Sequence, residues 1–334
     1  MSRYIVKRIL YIIFVAFIIT IILFFLYKSI PGGDMARVMA YVDQTLKQTN
    51  PELYIIQLEQ AQIDLGIGQP VIVQYFMWLK ETLSGNFGYT LAGHVQVIDY
   101  VKAPMLNTVK LNLLVMFFVF IITFPLGIKT AVKKYSTFDN GVQIFTIVGM
   151  SLPSFFIALI SILIFSAWLR ILPSSGSNSG IIVRETMTAF QRLLDNLKYM
   201  VLPVFVLTIS SLAGITRYVR GTMIDILQQD YIRTARAKGL REKVVIYSHA
   251  FRNAMIPVVT IMTGWILGIF GGSTITETIF AWKGMGKTLY DALMQGPDYS
   301  VILAMNLFYT MLGLVGNLLL DMLYTVVDPR VKLG

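Results

Sequence analysis

The run Ala281-Trp-Lys-Gly-Met-Gly-Lys-Thr288 nearly spells the glycine-rich loop whose backbone N–H groups cradle nucleotide phosphates. That chemistry needs glycine where Ala281 stands, and a strand before the loop with a helix after it. An apolar run of membrane-spanning length precedes it instead, so nucleotide hydrolysis is not expected of this chain. The two histidines, His94 and His249, fall in segments assigned to opposite faces of a membrane and cannot share a catalytic site. Gly149-Met-Ser151 lacks the following glycine of a nucleophile elbow. There is no cysteine, which excludes disulfides, thiolate metal sites and cysteine nucleophiles, and no cluster of metal ligands is visible. The residues that could do chemistry therefore point away from catalysis.

The elements that must position them are membrane helices. Of 334 residues 56% are hydrophobic and 14% charged, with a mean hydropathy of +0.68, too apolar for an ordinary soluble domain. About 20 residues at ~1.5 Å rise match a hydrocarbon core of ~30 Å. Six windows qualify, near 9–30, 106–128, 142–168, 199–216, 256–276 and 301–321. The net charge of +10 is not spread as a nucleic-acid-binding stripe. It collects in four clusters: Arg3, Lys7 and Arg8; Lys129, Lys133 and Lys134; the long loop after the fourth window; and Arg330 with Lys332. All four share one side if both termini are cytoplasmic, as positive charge retained inside requires. The first apolar run has no small-residue cleavage pattern after it and is expected to stay as an anchor. Residues 1–30 then form tail and first span, 31–103 an extracytoplasmic insert, and 104–334 a core with five spans.

Three features inside the spans bear on transport. Ser151-Leu-Pro-Ser154 puts a proline between serines in mid-span, where a freed carbonyl is tolerated only against protein or a water-filled cavity. Gly264, Gly268, Gly271 and Gly272 form a small-residue face suited to close helix packing. Ser151, Pro153, Ser154, Gly271 and Gly272 are the candidates for a translocation path, with a packing kink and a packing face as the alternatives. Apart from Lys28, Lys110 and Asp321 near helix ends, the windows hold no ionisable residue. Ion-coupled carriers generally need buried carboxylates or histidines. A carrier without an ion relay or a nucleotide site must draw its energy from a partner.

The place for that partner is residues 217–257, a polar island between apolar runs. Arg217, Arg220, Arg233, Arg236, Lys238, Arg241, Lys243 and Arg252 face only Asp225, Asp230 and Glu242 there. Its core, Thr234-Ala-Arg-Ala-Lys-Gly239, suits a short helix ending at a sterically open turn. The run Asp230-Tyr-Ile-Arg-Thr-Ala-Arg-Ala-Lys-Gly-Leu240, followed by His249-Ala-Phe-Arg-Asn-Ala-Met-Ile-Pro257, resembles the cytoplasmic loop of the dipeptide/oligopeptide permease family, the membrane subunits of binding-protein-dependent ABC importers. Arg233 and Thr234 stand where the general importer motif has Glu and Ala, as in the peptide branch. The resemblance extends to Asp64–Pro70, Gln74-Tyr75, Trp78-Leu79, Gly85–Gly88, Leu172–Gly176, Glu277–Gly286, Asp298–Ser300 and the C-terminal Asn317, Asp321, Tyr324 and Asp328-Pro-Arg330.

The resemblance implies an all-α inner-membrane protein with the type I ABC importer permease fold and six transmembrane helices. It implies a coupling loop over 217–255 in which Arg233, Thr234, Ala235, Arg236, Ala237, Lys238, Gly239 and Leu240 dock into an ATP-hydrolysing subunit, with Ala235 and Gly239 as the foothold. The implied partners are a second homologous permease, two ATP-binding subunits, an extracytoplasmic substrate-binding protein and the lipid bilayer, with no nucleic acid. No cofactor is bound by this chain, since ATP and Mg belong to the partner ATPases. The expected cargo is oligopeptide, with nickel or another metal chelate as an alternative. An ion-coupled secondary transporter or an intramembrane enzyme remains the reading from a different class.

Overall fold

The computed structural model describes residues 2–30, 32–91 and 93–327. Pro31, the C-terminal Asp328-Pro-Arg330 and Lys332 lie outside them, as do the side chains of Arg3 and Tyr324. Among the described residues the chain is helical, and the one β contact is an isolated bridge between Tyr89 and Gln96. Helices suit a chain of this composition because each satisfies its own backbone polar groups where no water can. Contacts divide the protein into two units, residues 1–106 with 284–334 and residues 107–283.

The first unit contains α1 (Ser2–Lys28), α2 (Gly33–Ala40), α3 (Leu46–Thr49), α4 (Pro51–Asp64), α5 (Val71–Leu83) and the first ten residues of α6 (Val97–Val132), and it ends with the last two helices of the chain. The α1 helix has few small or polar residues and leaves most side chains outward, as a lipid-facing span does. Gln74, Tyr75, Trp78 and Thr82 share the buried face of α5, where Tyr75 and Trp78 pack edge-on and tilted against Phe24 at 5.5 and 5.6 Å between centroids. Asn50 caps α4 by accepting from Leu53 N–H at 3.2 Å, and Pro51 fills its first turn. His94 stacks on Tyr89 at 4.5 Å, and its Nδ1 lies 3.0 Å from Ala40 O. Arg8 of α1 donates to Asp321 at 2.7 Å, so the start of the first helix and the end of the last are tied together.

The second unit holds the rest of α6, then α7 (Thr137–Ser151), α8 (Ser154–Ser161), α9 (Ile181–Glu185), α10 (Ala189–Leu227), α11 (Asp230–Ala237), α12 (Glu242–Val244), α13 (Arg252–Gly268) and α14 (Thr274–Ile279). After it come α15 (Met285–Met294) and α16 (Tyr299–Val327) of the first unit. Among the described residues four helices are long and apolar enough to cross a membrane, and there are up to six spans if each of two bent pairs counts as one. Three departures from the sequence windows have physical causes. The third span is not kinked but turned by 101° between α7 and α8. Leu152 is extended at ψ 125°, as the residue before a proline prefers, and Pro153 has no N–H to continue the ladder. The α10 helix begins at Ala189, well before Leu202, because Thr188 and Gln191 form a reciprocal capping box. The fifth span stops at Gly268, short of residue 276, and the four glycines do not make a packed face: a Cβ at Gly264 or Gly268 would meet nothing within 4 Å.

Glycine does set a close approach elsewhere. The α6 helix runs on through Pro125, and a Cβ at Gly127 would sit 2.7 Å from Val219 of α10. One turn back, Thr123 and Thr216 hydroxyls are 3.3 Å apart, so α6 and α10 run parallel in tight contact.

Candidate coupling helix and translocation wall

In α11 the side chains of Ile232 and Ala235 are 0% and 7% exposed, three residues apart on one face. They enter a core with Met223 of α10, Ile128 and Ala131 of α6, and Val245, Ile246 and Ala250 of the π-helical stretch Val245–Phe251. The opposite face, with Tyr231, Arg233, Thr234, Arg236 and Ala237, is exposed. Asp230 in the first turn and Arg236 in the last complement the helix dipole. The helix ends in a Schellman turn, with Leu240 N–H donating to Ala235 O at 3.4 Å and Gly239 N–H to Arg236 O at 2.9 Å. Gly239 has φ +75°, a left-handed conformation, and a Cβ there would meet no atom within 4 Å. Glu242 braces the turn by accepting both Arg236 nitrogens, at 2.7 and 3.2 Å.

Of the two foothold residues expected from sequence, only Gly239 is open to a visitor. Ala235 is turned into the core, so its small side chain fixes how deeply α11 sits, and the exposed alanine is Ala237. Arg220 also leaves the basic island: it clamps Asp139 of α7 through two 2.7 Å hydrogen bonds. The Asp139 side chain is 1% exposed and also accepts from Tyr135 N–H at 2.8 Å. This pair ties α7 to α10.

The path candidates are exposed or half-buried. Ser151 donates to Ile147 O at 2.9 Å inside α7, and Pro153 lies in the turn that α8 leaves. Gly271 and Gly272 lie past the end of α13, in backbone that is no longer helical. What holds the unwound end is Asn112 of α6, which donates to Gly268 O, Ile269 O and Gly271 O at 3.4, 2.8 and 2.9 Å. Replacing Asn112 by leucine is expected to cost about 1–3 kcal/mol, the penalty for stranding such carbonyls, and to lower the melting temperature of the detergent-purified protein. An unchanged melting temperature would show that those carbonyls have other partners.

Three loops far apart in sequence meet at the start of this part of α6. Asn107 donates to Lys283 O at 2.8 Å, Thr108 to Glu277 at 3.0 Å, Gly176 N–H to Phe280 O at 2.7 Å, and Lys283 N–H to Ser177 at 2.9 Å. Glu277 is fully buried. From Thr108 to Gly127 the helix rises roughly 30 Å, so this knot and α11 lie at the two ends of one bilayer-spanning rod. The phosphate-loop reading ends here too: α14 precedes the run, Lys287 is paired with Asp291 at 2.6 Å, and Thr288 is spent on Gly284 O at 2.8 Å.

Sequence reasoning missed Asn112, Glu277 and the Asp139–Arg220 pair. Asn112 was legible as a lone amide within an apolar window. Glu277 sits one residue past a window, and Asp139 just before one, so a scan for charge inside spans passes over both.

The family described as the binding-protein-dependent transport system inner membrane component matches residues 123–333, and its N-terminal counterpart matches residues 1–106. The chain belongs to this family. Over 99% of its length it is 37% identical to the whole of the oligopeptide transport system permease protein AppB of Bacillus subtilis, and 33% identical to the whole of the dipeptide transport system permease protein DppB of Alkalihalophilus pseudofirmus. It is 30% identical to OppB, an oligopeptide permease protein of Haemophilus influenzae, again over 99% of this chain. Among solved structures, the inward-facing MetNI methionine ABC transporter matches 68% of this chain and 95% of its own chain, with a TM-score of 0.51 and 18% identity. That likeness bears on fold alone and fits the type I importer permease architecture. As a family member, the chain is a multi-pass protein of the bacterial inner membrane and a permease component of an ABC importer.

Proposed function

We propose that this permease imports peptides, and that partner ATPases drive it through α11. The observation that carries the proposal is the form of that helix: one face locked into the core of the spans, the other ending in an open Schellman turn that a second protein can approach closely. A push on such a helix is carried into the core it shares with α6, α10 and the Val245–Phe251 stretch, because Ile232 and Ala235 are buried there. ATP and Mg are held by two ATP-binding subunits, which supply the energy this chain has no site to harvest. A second homologous permease completes the path, and the open face at Gly264 and Gly268 suits it. An extracytoplasmic binding protein delivers the cargo.

Both termini are placed in the cytoplasm with α11. The Arg8–Asp321 tie, which puts the first and last helix ends together, supports this, as do the basic clusters on that side. Peptide cargo is supported by the names its relatives carry. The test is growth of an amino-acid auxotroph on a short peptide. Deleting this gene is expected to abolish growth on the peptide and leave growth on the free amino acid intact. Undiminished growth on every peptide length tried would overturn the cargo assignment.

A further inference from the structure

Within the first unit, a polar chamber of about 20 Å³ is lined by Tyr27, Arg37, Tyr41, Asn86 and Ser300 among others. It shares Thr82, Phe87, Ala304 and Leu307 with a far larger groove of about 590 Å³. That groove runs past Ile13, Phe17, Val101, Met105, Phe308 and Met311, and its only polar lining residues are Thr20 and Thr82. Thr20 is already hydrogen-bonded to Phe17 O at 2.7 Å and lies 2.9 Å from the Tyr75 hydroxyl, so it offers little to a polar guest.

Two cations, Lys28 and Arg37, and two carboxylates, Asp34 and Glu81, surround the chamber. Lys28 and Asp34 pair with each other and Glu81 accepts from Asn86 at 2.6 Å, which leaves Arg37 half-buried beside Tyr41 in the lining. Among the described residues no carboxylate reaches it. The chamber has room for about one water or one anionic oxygen, too little for a soluble solute. The groove lies within the ~300–1,000 Å³ of a ligand pocket and is wholly unsuited to water. It borders α1 and α16, the spans whose most apolar windows are least buried, at 11% and 22%. Arg37 follows closely on the end of α1, where headgroups meet the hydrocarbon.

We propose that this is a binding site for one anionic phospholipid, its headgroup oxygens on Arg37 and Tyr41 and one acyl chain in the groove. Charge and shape both select this occupant: the cation needs an anion, and the groove needs a chain tethered to it. The bound lipid fills what is otherwise a void against α16 and couples that helix to α5.

The test uses the full chain in phosphatidylcholine nanodiscs doped with phosphatidylglycerol, with retained lipid counted by native mass spectrometry. Wild type is expected to retain phosphatidylglycerol roughly tenfold over phosphatidylcholine, one charge-assisted contact's worth. Arg37→Gln should bring the two lipids to parity, and Arg37→Lys should keep most of the preference. Ala304→Trp, which fills the groove and leaves Arg37 in place, should reduce retention of both lipids and serves if the glutamine variant does not insert. Equal retention by wild type and Arg37→Gln, unchanged retention by Ala304→Trp, or displacement of the lipid by inorganic phosphate or a soluble peptide would each overturn the proposal.

Discussion

A Gly239→Trp variant is expected to insert into the membrane but to lose the proposed partner ATPases, while Gly239→Asn should hold them nearly as wild type does. Gly239 sits at φ +75°, where most side chains are strained by about 1–2 kcal/mol and asparagine is tolerated. That strain is present with or without a partner, so it lowers the stability of the permease and not its affinity. Bulk acts differently. The position is open in the isolated chain, so a tryptophan meets nothing until a partner arrives, and the misfit then costs roughly 1–3 kcal/mol, about five- to 150-fold in docking. Gly239→Ala separates the two effects, being strained but small, and should dock normally with a slightly lower melting temperature. Co-purification of the ATPases with each variant reads the result. Loss of docking in all three would mean that the turn's conformation, not its openness, is recognised.

The second large effect is on stability. Asp139→Ala is expected to cost about 3–5 kcal/mol, because it leaves Arg220 at 18% exposure with no counter-charge beside two apolar helices. Removing both charges with Asp139→Leu and Arg220→Met should recover most of that loss, since an apolar pair avoids the desolvation that the ion pair must offset. Thermal unfolding in detergent checks both. Equal damage from the double and single variants would show that Asp139 acts mainly through its bonds to Tyr135 and Gln143.

Both effects sit at positions whose meaning differs between sequence and structure. The short helix and its open glycine turn were readable because a Schellman ending has a composition of its own: alanines, a lysine, then glycine. The direction in which Ala235 points was not. Either alanine fits the spacing, and only the seating of α11 in the core it shares with the Val245–Phe251 stretch, α6 and α10 turns Ala235 inward and Ala237 outward. Arg220 reads as one more cation in a basic loop, since its partner lies 81 residues earlier.

The spans themselves were visible because hydropathy reports length. Breaks were partly visible: Pro153 marked the interruption in the third span, but not that its backbone turns by 101°. The Gly264–Gly272 stripe was legible as a small-residue face but not the neighbour it serves: within this chain a Cβ at Gly264 or Gly268 would meet nothing within 4 Å. Of the knot of Asn107, Thr108, Ser177, Glu277 and Lys283, the sequence showed only a polar start to one span and one stretch of resemblance, Glu277–Gly286, with nothing to connect them.

The central claim is that this chain moves solute only when partner ATPases drive it. Transport of a labelled short peptide into sealed vesicles tests it most directly, with the permease reconstituted alone and again with its sister subunit, ATPases and binding protein. The account predicts accumulation above the external concentration in the complete system with ATP, and none by the permease alone under a proton or sodium gradient. Concentrative uptake by the permease alone would contradict it.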